Sequence, residues 1–154
     1  VMLNSVIAAQ HPHHFIYRGC DVETSGNPLA HTILRGGVDK YGQTIPNYHY
    51  EDLMRLYDLY SKKDLQNPAV IVDVNHSNSG KQYKEQIRIV SEVLHSRRYN
   101  PDLKKMIKGV MVESYLEEGR QDISADMIYG KSITDPCIGW EDTEKLIYKI
   151  AEEC

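Results

Sequence analysis

Three short apolar runs, each followed by polar residues, dominate the hydrophobic pattern of the chain. They cover residues 31–34, 69–72 and 107–112, and the middle run, Ala-Val-Ile-Val, is rich in β-branched residues. A continuous run of this kind is typical of a β-strand covered on both faces. After each of the first two runs, apolar residues recur at helical spacing, which predicts amphipathic helices. The helical stripes are Leu53, Leu56, Tyr57 and Tyr60, and then Tyr83, Ile87, Val90 and Leu94.

Weaker patterns predict the remaining elements. We expect a helix over residues 1–9, a short strand near Phe15, a turn over residues 24–28 and a final helix from about Asp142. Between the third apolar run and the final helix, residues 115–134 form a predicted loop. Loops of that length are usually functional or mobile.

A charged or metal-binding side chain follows each of the three predicted strands. Arg35 and His76 are 41 residues apart, and His76 and Glu113 are 37 residues apart. Repeated strand-loop-helix units of this size indicate parallel strands joined by right-handed crossovers. The three side chains are then expected at one sheet edge, the carboxyl edge, where barrels and doubly wound sheets place their chemistry.

The number of strands decides between two α/β architectures. A (β/α)₈ barrel needs about 250 residues, whereas this chain has 154 residues and three clear parallel strands, with a possible fourth near Phe15. The chain also starts abruptly at Val1, within a helical pattern. We therefore expect residues 1–154 to form a single domain, the C-terminal part of a (β/α)₈ TIM barrel with about three to four parallel strands and their helices, lacking the N-terminal strands. The alternative is an independent, small open sheet of the flavodoxin type.

Residues 129–142 are expected to complete the site. They contain the single Trp, two Gly, a Pro and one of the three Cys, with several charged groups. The segment is too polar and broken for a buried strand, yet too apolar for a disordered linker. Because loops carry function while scaffolds carry packing, we predict that it brings Asp135 to His76 and Glu113. The alternative is a well-packed connection that ends in the cap of the last helix, near Asp142.

The predicted cluster has the chemistry of a metal site. One imidazole from His76 and two carboxylates, from Glu113 and Asp135, suit a borderline divalent ion such as Mn²⁺, Fe²⁺, Co²⁺ or Zn²⁺. The alternative for each residue is an ordinary hydrogen-bonded polar group. Arg35 precedes two glycines, and a guanidinium beside exposed backbone N–H groups can bind phosphate or carboxylate. A surface turn with an incidental arginine is the competing interpretation.

Composition and charge exclude several classes of function. The chain is 41% hydrophobic and 26% charged, with a formal net charge of −4 and no basic run, so no nucleic-acid partner is expected. No stretch approaches the roughly 20 apolar residues of a membrane span, and no secretory signal is visible. The three cysteines form no Cys-x-x-Cys pair, and this odd, sparse count favours a reducing compartment over a disulfide scaffold, and hence a cytoplasmic location.

Several motifs, in this order, together resemble the type I 3-deoxy-D-arabino-heptulosonate-7-phosphate (DAHP) synthases. They are Thr-Ser-Gly-Asn at 24–27, Ile-Leu-Arg-Gly-Gly at 33–37, Pro-Asn-Tyr at 46–48, Val-Asp-Val-Asn-His-Ser-Asn-Ser-Gly-Lys at 72–81, Gly-Val-Met-Val-Glu-Ser at 109–114, Glu-Gly-Arg-Gln at 118–121 and Tyr-Gly-Lys-Ser-Ile-Thr-Asp-Pro-Cys-Ile-Gly-Trp-Glu-Asp at 129–142. The resemblance covers nearly the whole chain but only the C-terminal part of the family's enzyme.

The resemblance implies a TIM barrel that condenses phosphoenolpyruvate with erythrose 4-phosphate, the first step of the shikimate pathway to the aromatic amino acids. It implies that His76, Glu113 and Asp135 are three of four metal ligands. Arg35 stands where the family binds phosphoenolpyruvate, and His76 is placed to contact its phosphate. By the same resemblance Arg35, His76 and Asp135 are the catalytic and substrate-binding residues, and the metal acts as a Lewis acid on the aldehyde.

The chain also departs from the family pattern. The fourth ligand of the family is a Cys on an early strand, and neither Cys20 nor Cys137 lies in that motif; the early Lys-Pro-Arg-Thr segment is missing as well. Residues 16–23 are shorter than the regulatory hairpin of the family, so the resemblance does not extend to feedback inhibition. A half-barrel exposes the apolar sheet edges that its absent strands would cover, so we expect this chain to form a homo-oligomer or to associate with a missing N-terminal half. The competing hypothesis is a truncated or split non-catalytic relative that binds metal or phosphate or serves as an assembly partner.

Overall fold

The computed structural model describes residues 2–154, so Val1 of the helix predicted over residues 1–9 lies outside the described part. Within that range the helices are α1 (Met2–Gln10), α2 (Tyr50–Ser61), α3 (Gln86–Tyr99), α4 (Pro101–Met106) and α5 (Trp140–Glu153), and one 3₁₀ turn spans Tyr83–Glu85. The strands are β1 (His14–Tyr17), β2 (Cys20–Glu23), β3 (Thr32–Leu34), β4 (Gly37–Val38), β5 (Thr44–Ile45), β6 (Val70–Asp73), β7 (Ile107–Met111), β8 (Glu117–Arg120) and β9 (Lys131–Ser132).

The organising element is a parallel sheet with the strand order β3-β6-β7. In its register, Ile33 pairs with Ile71, and Ile71 pairs with Gly109. Helix α2 connects β3 to β6, and helices α3 and α4 connect β6 to β7. The α/β class and the parallel strand-helix-strand order predicted from the hydrophobic pattern are therefore confirmed.

The strand near Phe15 does not join the parallel sheet. It is β1, which pairs antiparallel with β2, with Tyr17 opposite Cys20. The two connecting residues, Arg18 and Gly19, have φ angles of +49° and +77°. Positive φ at both positions is what a tight type I′ hairpin turn requires. The prediction of a fourth parallel strand is therefore wrong for the described residues, because local turn geometry folds this strand back on its neighbour.

The sheet buries one face under the helices and leaves the other partly open. Leu34, Val70 and Val72 point into the helix-covered core, whereas Ile33 is 42% exposed and Met111 is 38% exposed. Ile71, between them, is half-buried. The expectation that the middle strand is covered on both faces is thus only partly met. The core is completed by Leu53, Leu56, Tyr60, Ile89, Val90, Val93, Leu103, Met106, Ile138 and Leu146.

Helix α4 was not predicted, because six residues are too short to show a clear helical period. Two residues nevertheless mark its start. The side chain of Asn100 accepts hydrogen bonds from the backbone N–H groups of Asp102 and Leu103, and Pro101 occupies the first turn. The last helix begins at Trp140, two residues before the predicted start. Among residues 2–154, no helix combines the length and the apolar character needed to cross a bilayer.

Candidate metal centre

The three predicted metal ligands meet at the carboxyl edge of the parallel sheet. Nε2 of His76 lies 3.7 Å from Oε1 of Glu113 and 3.5 Å from Oδ2 of Asp135. One ligand atom from each of the three side chains lies within 4.8 Å of the others. His76 is the least accessible, with 14% of its side chain exposed, and the two acids remain open to solvent at 35% and 42%.

The orientation of His76 depends on the last residue of β6. Nδ1 of His76 lies 2.7 Å from Oδ2 of Asp73, whose side chain is only 1% exposed. The other carboxylate oxygen of Asp73 accepts a hydrogen bond from the backbone N–H of Asn75 at 2.9 Å. His76 itself has a φ of +34°, a conformation uncommon for a residue with a side chain. The ring therefore presents Nε2 to the two acids while Nδ1 faces Asp73.

Glu113 is held by its backbone. Gln86, the first residue of α3, is fully buried; its side-chain amide donates to the carbonyl oxygen of Glu113 at 3.0 Å and accepts from its N–H at 2.8 Å. The backbone N–H of Ile138 donates to the same carbonyl oxygen at 3.0 Å. These contacts fix the point at which the Glu113 side chain leaves the end of the third parallel strand.

The segment 129–142 brings the carboxylate of Asp135 to His76 and Glu113. Ile138 is fully buried and pairs with Ser114 in a parallel bridge. The backbones of Gly119 and Cys137 exchange two hydrogen bonds, at 2.8 and 3.1 Å. The long predicted loop between the third strand and α5 is therefore tied down at both ends, and it contains the short parallel pair β8 and β9.

A cavity of about 620 Å³ opens beside the cluster, between the end of β7 and the 127–137 segment. Glu113, Tyr115, Lys131 and Cys137 are among the residues that line it. Cys137 is buried, and burial raises the pKa of its thiol, an effect that the nearby carboxylates of Glu113 and Asp135 reinforce, while a hydrogen bond with Ser132 lowers it. Burial and the two carboxylates therefore favour the protonated form of this thiol in the cavity wall.

Arg35 lies beside the cluster. Its Nε is 3.7 Å from Oδ2 of Asp73, and 62% of its side chain is exposed. Gly36 follows with a φ of +72°, and its N–H donates to the side chain of Asn47 at 2.8 Å. Because the guanidinium is mostly accessible, it can bind an anion while it partly neutralises the buried carboxylate of Asp73.

A buried amide connects the loops that carry Arg35 and His76. Nδ2 of Asn78 donates to the carbonyl oxygens of Leu34 and Asp73, at 3.1 and 2.7 Å. Its Oδ1 accepts from the backbone N–H of Asn47 at 2.8 Å. Sequence reasoning missed the roles of Asn78, Asp73 and Gln86. For Asp73 a signal existed, since it directly follows the apolar run of β6, but for Gln86 there was none.

The two donor-atom distances measured from His76 fit a divalent ion. Metal–nitrogen and metal–oxygen bonds of about 2.1 Å at angles between 90° and 180° place two donor atoms about 3.0 to 4.2 Å apart. Both distances from Nε2 of His76 fall in this range. One imidazole and two carboxylates are also a donor set for borderline divalent metals. A cation between Glu113 and Asp135 would offset the repulsion between their negative charges.

A parallel sheet whose carboxyl edge gathers an arginine, a histidine and two acids defines an α/β protein with a candidate metal centre at the position where such folds carry their active sites. The model of the DAHP synthetase I family matches residues 1–147. The chain therefore belongs to the DAHP synthetase I family, and the resemblance seen in the motifs is confirmed.

Individual relatives agree with this assignment. The chain is 42% identical to phospho-2-dehydro-3-deoxyheptonate aldolase from Haemophilus influenzae, over 99% of this chain and 41% of that protein. It is 41% identical to the Trp-sensitive enzyme of that name from Escherichia coli, over 84% of this chain and 35% of that protein. The structure of phospho-2-dehydro-3-deoxyheptonate aldolase from Francisella tularensis superimposes with a TM-score of 0.83 and 32% identity, over 98% of this chain and 43% of that one. The chain thus spans about two fifths of the length of these relatives.

Proposed function

We propose that residues 1–154 are a single domain, the C-terminal part of a (β/α)₈ barrel that condenses phosphoenolpyruvate with erythrose 4-phosphate to DAHP and phosphate. The observation that carries this proposal is the convergence of His76, Glu113 and Asp135 on one point at the sheet edge. The names of the relatives, which describe a heptonate aldolase, support the same reaction class.

The proposed metal ligands are His76, Glu113 and Asp135, and Mn²⁺, Fe²⁺, Co²⁺ and Zn²⁺ are the ions that such a mixed nitrogen and oxygen donor set prefers. When bound, the ion supplies Lewis-acid polarisation of the aldehyde carbonyl of erythrose 4-phosphate. The reaction forms a bond between the enol carbon of phosphoenolpyruvate and the aldehyde carbon. Water then adds at the neighbouring carbon, and phosphate leaves with cleavage of its C–O bond.

Arg35 is proposed to bind phosphoenolpyruvate. Its guanidinium is 62% exposed and lies at the same edge as the cluster. A guanidinium can hold a carboxylate or a phosphate through two parallel hydrogen bonds, which orients the substrate and stabilises its negative charge. We also propose that His76 contacts the substrate phosphate and that Asp135, with its partly open carboxylate, lies against the bound substrate.

The open face of the parallel sheet supports the half-barrel assignment. Ile33 and Met111 are exposed on this face, beside the half-buried Ile71. The outer edges of β3 and β7 have no strand partner among the described residues. Open edges and exposed apolar residues favour association with further strands. We propose that the remaining barrel strands, or a second copy of this chain, cover this face.

The assembly of the cluster within this chain favours a second candidate function. The cluster is assembled within these residues alone, without further strands. A chain of this kind could bind metal or phosphate without catalysis and serve as an assembly partner.

Metal binding is tested first. Isothermal titration of the purified chain with Mn²⁺ should show one site, and His76→Ala should abolish it. His95→Ala is the matched control, because His95 is exposed on α3 and does not belong to the cluster. Unchanged binding in the His76 variant would refute the proposed site.

Catalysis is tested by complementation. Phosphate release from phosphoenolpyruvate and erythrose 4-phosphate, with Mn²⁺ present, is measured for the chain alone and for the chain mixed with the N-terminal portion of a relative. Release by the mixture only supports the half-barrel. Metal binding without release in either sample supports the non-catalytic alternative.

A further inference from the structure

The carboxylate of Asp73 lies behind the imidazole of His76, on the side away from the metal cluster. We propose that Asp73 is a positioning residue that holds His76 as the Nδ1–H tautomer, with the lone pair of Nε2 directed at the cation, and so sets the affinity of the site. The inference rests on the proposed function for the identity of the site, but its geometry stands on observed contacts.

The Asp73 carboxylate is itself immobilised. Its side chain is 1% exposed, and Oδ1 accepts from the N–H of Asn75 at 2.9 Å. Its backbone pairs with Met111 in the parallel sheet, and its carbonyl oxygen accepts from Asn78 at 2.7 Å. A group anchored at this many points cannot follow the ring of His76, so the ring must align with the carboxylate.

The direction of the hydrogen bond fixes the tautomer. An ionised carboxylate only accepts hydrogen bonds, and Oδ2 of Asp73 lies 2.7 Å from Nδ1 of His76. Nδ1 therefore carries the hydrogen, which leaves Nε2 with a free lone pair. Nε2 is the atom that faces Glu113 and Asp135, at 3.7 and 3.5 Å. A carboxylate behind a metal-bound imidazole both orients the ring and raises its basicity.

The neighbouring charge is consistent with this role. A buried carboxylate needs compensation, and the nearest cationic group is Arg35, with Nε 3.7 Å from Oδ2 of Asp73. That distance is too long for a direct hydrogen bond, so the short contact to His76 remains the principal one at Oδ2. Asp73 thus uses one oxygen for the backbone and the other for the ring.

The substitution Asp73→Asn separates positioning from packing. Asparagine has nearly the same shape and keeps an acceptor for the N–H of Asn75, but it removes the negative charge and can present an N–H to the ring. The matched control is Glu92→Gln, because Oε1 of Glu92 makes the same 2.7 Å contact with Nδ1 of His49 outside the cluster. Both variants lose one carboxylate that faces an imidazole.

Two readouts are measured on the full chain. Long-range ¹H–¹⁵N spectra of the metal-free chain at pH 8.5, assigned with a His76→Gln variant, should show Nδ1 of His76 protonated in the wild type and a shift toward Nε2–H in Asp73→Asn. Titration with Mn²⁺ should give a dissociation constant about 10- to 100-fold higher for Asp73→Asn. The Glu92→Gln variant should change neither readout.

Each outcome decides a separate point. A wild-type Mn²⁺ affinity in Asp73→Asn, with an unchanged His76 spectrum, overturns the role of Asp73 and leaves the proposed metal site standing. Absence of Mn²⁺ binding in the wild type overturns the proposed function together with the affinity part of this inference. If Asp73→Asn does not fold, the wild-type spectrum decides alone, since an Nε2–H tautomer of His76 contradicts the proposal.

Discussion

Gly36 lies where the chain leaves β3 and passes against the loop that carries His76, and its replacement by alanine tests how tightly these two loops are joined. Gly36 has a φ of +72°. A Cβ atom at this position would lie 2.9 Å from the side chains of Ser77 and Asn78, and 3.0 Å from the backbone nitrogen of Asn78. We predict that Gly36→Ala destabilises the chain and weakens Mn²⁺ binding, because Asn78 must shift.

The magnitude follows from two costs. Placing a non-glycine residue in the left-handed region costs about 1–2 kcal/mol, and overpacking a well-packed site adds about 1–3 kcal/mol. Gly42→Ala is the matched control, since Gly42 has a φ of +84° but nothing within 4 Å of the added Cβ. The first cost is common to both variants and cancels in the comparison. Gly36→Ala should therefore lose about 1–3 kcal/mol more free energy of unfolding than Gly42→Ala.

Urea unfolding followed by far-ultraviolet circular dichroism measures both variants, and Mn²⁺ titration reports on the site. Equal losses of free energy in Gly36→Ala and Gly42→Ala would refute the reasoning, because the crowding against Asn78 would then have no energetic consequence. A larger loss with unchanged Mn²⁺ affinity would show that the two loops pack together without positioning the cluster.

Three further predictions concern the scaffold and its surface. Leu103 is fully buried, so Leu103→Ala should reduce the free energy of unfolding by about 2–5 kcal/mol, whereas Ile123→Ala, at a 77% exposed side chain, should stay within about 0.5 kcal/mol in the same urea assay. Asn100→Ala removes the cap of α4 and should reduce the free energy of unfolding by about 0.5–2 kcal/mol in the same urea assay. Asn100→Ser keeps a capping oxygen and should retain most of that stability. The hydrogen bond from Lys145 lowers the pKa of Glu141. The small stability contribution of this pair is therefore present above the unfolded-state pKa of Glu141 and is lost as pH falls through its folded-state pKa. Lys145→Ala should raise the folded-state pKa of Glu141 in an NMR titration. An unchanged pKa would contradict the contact.

The hydrophobic pattern was sufficient for the main elements of the fold. The continuous β-branched run of β6 and the one-sided apolar stripes of α2 and α3 are local signals of burial that can be read from the sequence. The positions of His76 and Glu113 after parallel strands were enough to place them at one sheet edge, because parallel topology brings the carboxyl ends of all strands together. Asp135 was predicted from the mixed polar and apolar composition of residues 129–142, because no periodicity could place it, and the family motifs agreed with that prediction.

What the pattern could not supply was the pairing of distant groups. Phe15 lies in a strand by its own sequence, but only the positive φ angles at the adjacent turn decide that this strand forms a hairpin. The side-chain amide of Gln86 makes two hydrogen bonds with the backbone of Glu113, 27 residues away. No sequence pattern in either segment indicates this contact.

Sequence alone thus determined the three parallel strands and the main helices, because hydrophobic burial imposes a pattern on each element separately. The parallel order then placed His76 and Glu113 at one sheet edge. The tertiary structure alone decided which side chains orient the cluster, with Asp73 behind His76 and Gln86 beneath Glu113. The physical reason is that a hydrogen bond requires two groups to lie within about 3 Å of each other, and that distance is set by the packing of separate elements and not by the spacing of residues along the chain.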